Sequence, residues 1–448
     1  MLPNWTLTES EFNPDLLHRQ ETLFSIGNGY IGSRGTFEEG FPNEIPLTLV
    51  GGLYDDVPIY NSELVNITNW MDLTFFVDGE PFRLDRGRIL YYSRKLNLHN
   101  GVLNRNIRWR SPSGATFDLL FERFASLHDP HALAIYMTIT SIDYKGELEI
   151  QSRLGGHVNN AGYRHWLLVD QGMLSAQSAY LHTITKSSRI EAASAFHLNI
   201  QSRSEVQYEP KNDAWIPGLL ARGMIEPGQT IKVEKLVCVF TTLETSPHPH
   251  PLRRVVNEHL DKLVNLGYSL VKEKNESAWE QEWEMCNVTI EGDDEADLAV
   301  RYNLYQLLIS APRWSEYVSL SKCGLTGMRY FGHIFWDTEA LCLPFFTLVQ
   351  PHIARNILLY RYHTLKGARK KALDNGYHGA MYAWESALDG EENTPRWMPS
   401  AKNSLELDRI WCGELQQHIS ANVAFAVHFY WQWTRDDDFL KNYGAEII

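Results

Sequence analysis

The first 244 residues alternate between short hydrophobic stretches and turn-forming residues. The stretches are rich in β-branched and aromatic residues, and Gly, Pro, Asp and Ser separate them, which is typical of β-strands joined by turns. The clearest stretches are 105–110, 116–124, 133–141, 147–151 and 230–242. Many short strands without intervening helices predict an N-terminal β-sandwich over residues 1–244.

The pattern becomes helical after a Pro-rich segment. Residues 245–251 read TSPHPHP, in which His248 and His250 are expected to be solvated linker residues rather than metal ligands. Apolar residues then recur at helical spacings over 255–283, which predicts a pair of linker helices. We assign residues 245–290 to this helical linker.

Helical periodicity continues from Asp294 to the C-terminus. The first helix of this region is predicted to bury one apolar face, made of Ala296, Val300, Leu304, Leu307, Leu308 and Ala311. Pro351 can be the first residue of a later helix. Short and long loops alternate, which predicts stacked αα-hairpins over residues 291–448. Residues 445–448 resemble the start of a further apolar element, so we interpret the sequence as truncated within a domain at Ile448.

Composition narrows the classes of function. The chain has 448 residues, of which 44% are hydrophobic and 21% charged, enough for two domains or more and without the signature of disorder. Its 55 Asp and Glu residues against 41 Lys and Arg residues give a formal net charge of -14, which argues against a nucleic-acid or anionic-membrane partner. Aromatic residues make up 12%, which suits a protein that stacks on sugar rings, although large cores also use them.

The cysteines and the N-terminal residues help to predict the cellular compartment of the protein. Five cysteines are scattered along the chain without C-x-x-C spacing, so neither a metal site nor a disulfide framework is predicted. The N-terminus lacks the basic and apolar segments of a signal peptide, and no apolar run reaches about 18 residues. We therefore expect a soluble cytoplasmic protein with free thiols and no bound metal.

The 324–339 stretch, GLTGMRYFGHIFWDTE, combines three glycines with aromatic residues and carboxylates. Trp336 offers an apolar face and one hydrogen-bond donor, and Asp337 can accept two hydroxyl hydrogen bonds, which together can hold a neutral polyol. The alternative is that Phe335 and Trp336 fill the core, while Asp337 or Thr338 caps the next helix.

Two later loops repeat this combination. Residues 376–395 contain a second indole–carboxylate pair, and residues 409–420 bring further polar residues to a helix start. One acidic loop is usually just solvated, but two Trp–acid pairs beside helical hairpins favour a common ligand site. The candidate substrate-binding residues are Trp336, Asp337, Trp384, Glu385, Glu414 and His418.

A Gly-rich segment near the N-terminus, residues 21–35 (ETLFSIGNGYIGSRG), lacks the spacing of a P-loop or a dinucleotide-binding loop. We therefore predict a tight loop that packs the edge of the sandwich against a neighbouring domain.

Several of these segments together resemble glycoside hydrolase family 65, the inverting phosphorylases of α-linked glucose disaccharides such as maltose, kojibiose, nigerose and trehalose. The segments are the 324–339 stretch, Tyr360-Arg361, Gly367-Ala368-Arg369, YAWES with DGEENTP, HISANVAFAV and the N-terminal Gly-rich segment. The resemblance runs from about residue 11 to the end. It implies a β + α multidomain fold with an N-terminal β-sandwich, linker helices and an (α/α)6 catalytic barrel.

The resemblance implies phosphorolysis of a disaccharide to β-glucose 1-phosphate and glucose, with inorganic phosphate as co-substrate and no cofactor. The form of the WES loop is most similar to kojibiose- or nigerose-type members. A homodimer is a further expectation. Trp336 and Asp337 match the pair that holds the non-reducing glucose, and Trp384 and Glu385 match residues that line the same pocket. Glu414 and His418 fall in the acceptor-site loop.

One departure from the family pattern concerns catalysis. The family's general acid lies in a Gly-Pro-Asp-Glu-Tyr-His-type motif, which does not occur in this sequence and is expected beyond Ile448; the family's phosphate-binding Ser/His loop is also missing. We therefore assign no catalytic residue, and expect only the first part of a barrel and no turnover by the chain alone. A hydrolase of the same family and a non-catalytic carbohydrate-binding fragment are the alternatives.

Overall fold

A computed structural model of the protein describes residues 5–58, 62–244, 251–400 and 405–448. A mostly β region fills the N-terminal half and a helical region follows it, so the predicted order of the two fold types is confirmed. Residues 245–250, which include His248 and His250 of the predicted linker, lie outside the described residues.

Twenty strands form the β part of the structure that these ranges describe. They are β1 (Thr6–Glu9), β2 (Ile26–Gly27), β3 (Ile31–Ser33), β4 (Thr48–Asp56), β5 (Ser62–Asn66), β6 (Leu73–Val77), β7 (Glu80–Pro81), β8 (Arg88–Asn97), β9 (Val102–Arg110), β10 (Thr116–Ala125), β11 (Ala132–Ser141), β12 (Gly146–Arg153), β13 (Trp166–Ser175), β14 (Ser178–Thr185), β15 (Glu191–Gln201), β16 (Gln207–Asp213), β17 (Ile216–Ile225), β18 (Thr230–Thr241), β19 (Trp397–Pro399) and β20 (Leu407–Arg409).

Two antiparallel sheets share one core. The larger has nine strands in the order β1-β8-β9-β10-β11-β18-β15-β14-β13, and the smaller has five in the order β16-β17-β12-β6-β7. Phe75 of β6 stands edge-on to Trp109 of β9 and to Phe117 of β10, with ring centroids 6.1 and 5.8 Å apart. Alternation along each strand directs such residues inward, so aromatic side chains from the two sheets pack against each other between the sheets.

A third sheet, β2-β3-β4-β5, connects the β region to the helices. The Gly-rich segment supplies its first two strands. The amide of Gly29 donates to the carbonyl of Ile309 at 2.9 Å, and a Cβ at Gly32 would lie 2.2 Å from the carbonyl oxygen of Leu325. Only glycine permits so close an approach, and the predicted role of this segment in packing against a neighbouring region is confirmed.

Ten α-helices are present in the part of the chain that the structure describes. They are α1 (Leu17–Leu23), α2 (Leu252–Cys286), α3 (Asp294–Leu308), α4 (Leu343–Val349), α5 (Pro351–His363), α6 (Leu365–Asp374), α7 (Cys412–Leu415), α8 (His418–Thr434), α9 (Asp437–Phe439) and α10 (Ala445–Ile447). Single π-helical turns occupy Thr338–Cys342 and Leu440–Gly444. Pro351 is the first residue of α5, as its sequence position predicts.

Helix α2 lies against the nine-stranded sheet. Gly267 has φ 76° and ψ 158° and divides α2 into two segments, in agreement with the predicted pair of helices. Val256 and Leu260 in the first segment belong to a buried cluster with Phe124 and Phe240 of the sheet. The helix therefore covers a sheet face that would otherwise expose apolar residues to water.

The predicted buried face of α3 is correct only in part. Leu308 and Ala311 are buried as predicted. Ala296, Val300, Leu304 and Leu307 are half-buried, and the helix also buries Asp297, Arg301 and Tyr305. Asp297 and Arg301 form an ion pair one turn apart, and the Arg301 guanidinium lies 4.4 Å from the Trp5 ring centroid. Paired charges and a cation–π contact make burial of this polar face possible, which a hydrophobicity pattern does not register.

The last four residues form a single helical turn that packs on α5 and α8. The two isoleucines of this turn differ: Ile447 is buried, whereas the Ile448 side chain is 65% exposed and its amide donates to the carbonyl of Gly444 at 3.1 Å. A single helical turn faces its neighbours with one side only, so the Ile447 side chain packs against them and the Ile448 side chain remains exposed to solvent. The predicted start of an apolar element at 445–448 thus corresponds to α10, in which Ile447 is buried.

Candidate functional site

The two loops that carry the Trp–acid pairs are joined directly. Ile334 and Ser386 form an antiparallel bridge in which each amide donates to the other's carbonyl at 2.9 Å. The hydroxyl of Tyr360, on α5, lies 2.9 Å from Ser386 Oγ and donates to the carbonyl of Ala387. Segments 52 residues apart in sequence are therefore held side by side on one helix.

A buried ion pair fixes the same junction. Arg361 of α5 donates through Nε and Nη2 to the two carboxylate oxygens of Glu339, at 2.6 and 2.8 Å. Its remaining donors reach Ser386 Oγ at 3.2 Å and the carbonyl of Phe335 at 3.3 Å. Burial opposes the charge on Arg361, but Glu339 more than compensates and raises the Arg361 pKa. One guanidinium thus ties both loops to α5.

Trp336, Trp384 and His418 form an aromatic cluster at the end of the two loops. The Trp336 and Trp384 ring centroids are 6.4 Å apart, and His418 lies 5.0 Å from Trp336 and 5.8 Å from Trp384. Both indoles are half-buried and His418 is exposed. The cluster is open to solvent on one side and can receive a flat apolar face such as that of a pyranose ring.

Phe335 behaves differently from its neighbour Trp336. It is 2% exposed and packs edge-on against Trp384 at 6.0 Å. The alternative of core filling therefore holds for Phe335 and only in part for Trp336, which is half-buried and packs against the core.

Asp337 is half-buried beside Trp336. It occupies the N-cap position of the π-helical turn Thr338–Cys342, as the capping alternative predicts, but its side chain makes no capping hydrogen bond there. Thr338 donates its hydroxyl to the carbonyl of Leu320 at 2.8 Å, and it is no cap. Asp337 Oδ2 lies 3.5 Å from Nζ of Lys322, a loose ion pair whose carboxylate can still accept hydrogen bonds.

Glu385 points into the protein rather than toward solvent. Its carboxylate is 2.8 Å from Nδ1 of buried His333, and Nε2 of that ring is 2.6 Å from the carbonyl of Ser62 in β5. Both ring nitrogens of His333 therefore have a polar partner. Glu385 therefore stands in a buried hydrogen-bonded chain that reaches the β region.

Glu414 lies apart from the other five predicted residues. It is exposed on α7, is paired with Arg409, and lies 3.7 Å from Arg396. It lines a cavity of about 1030 Å³ between α6 and residues 391–415, whose walls also carry Lys371 and Trp397. The structure thus brings the rings of Trp336, Trp384 and His418 together. Asp337 and Glu385 each directly follow one of the two indoles in the sequence. The structure does not join Glu414 to that cluster.

The sequence patterns missed several residues of the junction. Glu339, Arg361, His333 and Lys322 were not among the candidates, although all of them except Lys322 lie in segments that carry the family resemblance. A charged residue inside the apolar face of α5 was the available signal, because burial of an arginine requires a partner. Burial, together with Glu339 and Asp337, raises the pKa of the nearby Cys342 thiol to about 11.

Two further findings concern metal binding and membrane-spanning helices. Within the described ranges, no group of three or more His, Cys, Asp and Glu side chains could hold a metal ion. Across the same residues, no helix combines the length and apolar character needed to cross a membrane.

Comparison with known proteins identifies the family. The N-terminal domain of glycosyl hydrolase family 65 matches residues 7–282, and the central catalytic domain of the same family matches residues 301–448. Kojibiose phosphorylase of Halothermothrix orenii is 38% identical over 454 residues, which cover 99% of this chain and 58% of the relative. Nigerose phosphorylase of Lachnoclostridium phytofermentans is 30% identical over 472 residues, with 99% and 61% covered.

A solved structure described as "Putative kojibiose phosphorylase from human microbiome" superposes with a TM-score of 0.87 at 21% identity, over 99% of this chain and 58% of that one. At this identity the match shows the fold alone. The chain thus spans about 58% of the length of the kojibiose phosphorylase from Halothermothrix orenii.

The family matches also bear on the C-terminal boundary. The interpretation that the chain is truncated at Ile448 draws no support from the catalytic-domain match, which covers residues 301–448. The placement of the acid motif beyond Ile448 stays a prediction. The two domain matches together show that the chain belongs to glycosyl hydrolase family 65.

Proposed function

We propose that this chain binds an α-linked glucose disaccharide of the kojibiose type and that its protein cleaves the disaccharide with inorganic phosphate. The products are β-glucose 1-phosphate and glucose, and the configuration at the anomeric carbon is inverted. The names of the relatives, kojibiose and nigerose phosphorylase, support the reaction class. The proposal extends to the finer fold expectations: a β-sandwich over 1–244, a linker over 245–290, and an (α/α)6 barrel to which 291–448 contribute.

The observation that carries this proposal is the open aromatic cluster beside a carboxylate. Trp336 and Trp384, with centroids 6.4 Å apart, offer two indole surfaces to a pyranose ring, and Asp337 next to them can accept hydrogen bonds from two ring hydroxyls. We assign the non-reducing glucose to Trp336 and Asp337, and assign Trp384 and His418 to the wall of the same pocket.

Glu385 has a supporting role in this scheme. Its carboxylate already lies at hydrogen-bond distance from His333, so it has lone pairs left for a sugar hydroxyl only at the face turned away from the ring. Glu414, which lies outside the aromatic cluster, is assigned no contact with the non-reducing glucose.

Inverting phosphorolysis requires a carboxylic acid that protonates the glycosidic oxygen while phosphate attacks from the opposite face. The motif that supplies this acid in the family does not occur in the 448 residues. We therefore assign sugar binding, and no proton transfer, to the residues above. A homodimer remains a prediction.

The test is an assay of the protein with kojibiose, nigerose, maltose and trehalose, each with and without phosphate. Isothermal titration measures binding, and coupled detection of glucose 1-phosphate measures phosphorolysis. We expect binding of kojibiose or nigerose that Asp337→Ala weakens by more than about tenfold. Release of glucose without phosphate would instead favour a hydrolase, and binding without either product a carbohydrate-binding role. Failure to bind any of the four sugars would refute the proposal.

A further inference from the structure

The carboxylate of Glu392 is the centre of a small hydrogen-bonded cluster beneath the Trp384-Glu385 loop. Its Oε2 accepts from the amide of Trp384 at 2.9 Å, and its Oε1 accepts from the amide of Glu385 at 3.3 Å. The same Oε1 accepts from the amide of Thr394 at 3.1 Å and from the Thr394 hydroxyl at 2.6 Å. One side chain therefore holds the backbone at both residues of the second Trp–acid pair.

The position of that carboxylate is itself fixed from two sides. Nζ of Lys371, on α6, donates to Oε2 at 2.5 Å, and the Lys371 side chain is only 7% exposed. On the other side, a Cβ added at Gly413 of α7 would lie 3.1 Å from Cδ of Glu392. A charged acceptor that is paired and packed in this way makes stronger hydrogen bonds to amides than a mobile, solvated one.

The loop around Glu392 is packed closely onto α6. A Cβ at Gly367 would lie 2.5 Å from the carbonyl carbon of Gly390, and one at Gly390 would lie 2.5 Å from Cβ of Thr364. The segment leading to Glu392 thus has little freedom to shift, and the ion pair with Lys371 connects α6 rigidly to the loop that carries Trp384.

We propose that Glu392, aimed by Lys371, is a positioning residue that sets the orientation of Trp384 relative to Trp336 and so determines affinity for the sugar. This inference rests on the proposed function, since it concerns the same site. Glu392 acts through the amides of Trp384 and Glu385 and needs no contact with the sugar.

The chain provides a matched control at the neighbouring positions. Lys370 and Glu391 form an ion pair with the same sequence separation, at 2.8 Å, but their side chains are 55% and 44% exposed. The corresponding values for Lys371 and Glu392 are 7% and 22%. Glu391→Gln therefore makes the same chemical change one residue away, on a carboxylate that lies farther into solvent.

The experiment compares Glu392→Gln with Glu391→Gln by two measurements. Hydrogen exchange reports on the amides of Trp384 and Glu385 whether or not sugar is present, and titration with kojibiose reports affinity. Glutamine keeps the size of the side chain but loses the charge and one acceptor. We expect exchange at these two amides about tenfold faster and the Kd for kojibiose about tenfold higher, the effect of losing one good hydrogen bond. Glu391→Gln is expected to change neither.

The outcomes separate the inference from the proposed function. If the unaltered protein binds none of the disaccharides, the proposed function fails, and the exchange measurement still decides whether Glu392 orders the loop. If the unaltered protein binds and Glu392→Gln matches Glu391→Gln in both measurements, the inference is overturned. A fall in melting temperature alone, with unchanged exchange at 384–385 and unchanged Kd, also overturns it. If Glu392→Gln does not fold, Lys371→Gln is the second variant, because it removes only the charge that orients the Glu392 carboxylate. It is expected to raise both the exchange rate of the two amides and the Kd for kojibiose by about threefold.

Discussion

Replacement of Glu339 by glutamine is expected to destabilise the protein more than any comparable change at its surface. The Glu339 side chain is 0% and the Arg361 side chain 1% exposed, and the carboxylate accepts two guanidinium hydrogen bonds at 2.6 and 2.8 Å. Glutamine retains one acceptor oxygen and turns an N–H group toward the guanidinium, so a buried positive charge loses its counter-charge.

The magnitude follows from the geometry. Two unit charges about 4 Å apart attract by about 4 kcal/mol at an effective dielectric constant of about 20. This agrees with the roughly 3–5 kcal/mol observed when one partner of a buried pair is removed. Because native proteins are stable by only about 5–15 kcal/mol, we expect Glu339→Gln to cost a large part of the stability. The double variant Glu339→Gln with Arg361→Met, which removes both charges, should be more stable than the single variant.

Urea unfolding followed by circular dichroism measures these differences. The matched control is Glu258→Gln on α2, where Glu258 pairs with Arg254 at 2.6 Å but the side chains are 50% and 59% exposed. This change is expected to shift the free energy of unfolding by less than about 0.5 kcal/mol. Equal free energies of unfolding for Glu339→Gln and Glu258→Gln would refute the idea that the buried pair holds the two loops on α5.

Three further outcomes are expected. Asp337→Ala should weaken kojibiose binding by more than about tenfold, because each hydrogen bond to a charged group contributes roughly 1.5–3 kcal/mol, and should leave the melting temperature unchanged; a parallel loss of both would indicate a structural role. Burial, with Glu21 and Glu39 adding repulsion, raises the pKa of Glu44 to about 8. The folded protein then keeps a proton that the unfolded chain releases above its usual pKa of 4.5, so stability falls as pH rises between these values. Glu44→Gln should remove that slope in unfolding experiments at a series of pH values, and an unchanged slope would contradict the assignment. Gly367→Ala should lower both stability and sugar affinity, because its methyl group would meet the Gly390 backbone at 2.5 Å; wild-type values for this variant would show that the loop yields easily.

Sequence patterns recovered local structure where one physical rule dominates. Predicted strands 116–124 and 133–141 correspond to β10 (Thr116–Ala125) and β11 (Ala132–Ser141) within one residue at each end, because alternation and turn residues mark these boundaries. The pairing of β11 with β18, nearly a hundred residues later, had no local signal. The pairing of these two strands depends on which strand edges remain unpaired once the hairpins form.

At the candidate site, too, sequence patterns indicated the local motifs but not the contacts between distant segments. The two Trp–acid pairs stand out as motifs, and the structure places their loops together. The motif gives no hint that Glu385 turns inward to His333 while Asp337 stays near the surface, since the two carboxylates look alike in sequence. Their difference comes from partners supplied by other elements, which periodicity cannot reveal.

The hydrogen bond between Ser62 and His333 links positions 271 residues apart, and the hydroxyl of Tyr54 on the same β4–β5 hairpin donates to the carbonyl of Gly332 at 2.6 Å. The two loops that carry the Trp–acid pairs are thus held on one side by a hairpin that lies near the start of the chain. A helical region separated from that hairpin would retain both indoles but lose that support. If N-terminal domains were exchanged between family members, ligand affinity should therefore change unless the hairpin and the loops that it supports come from the same protein.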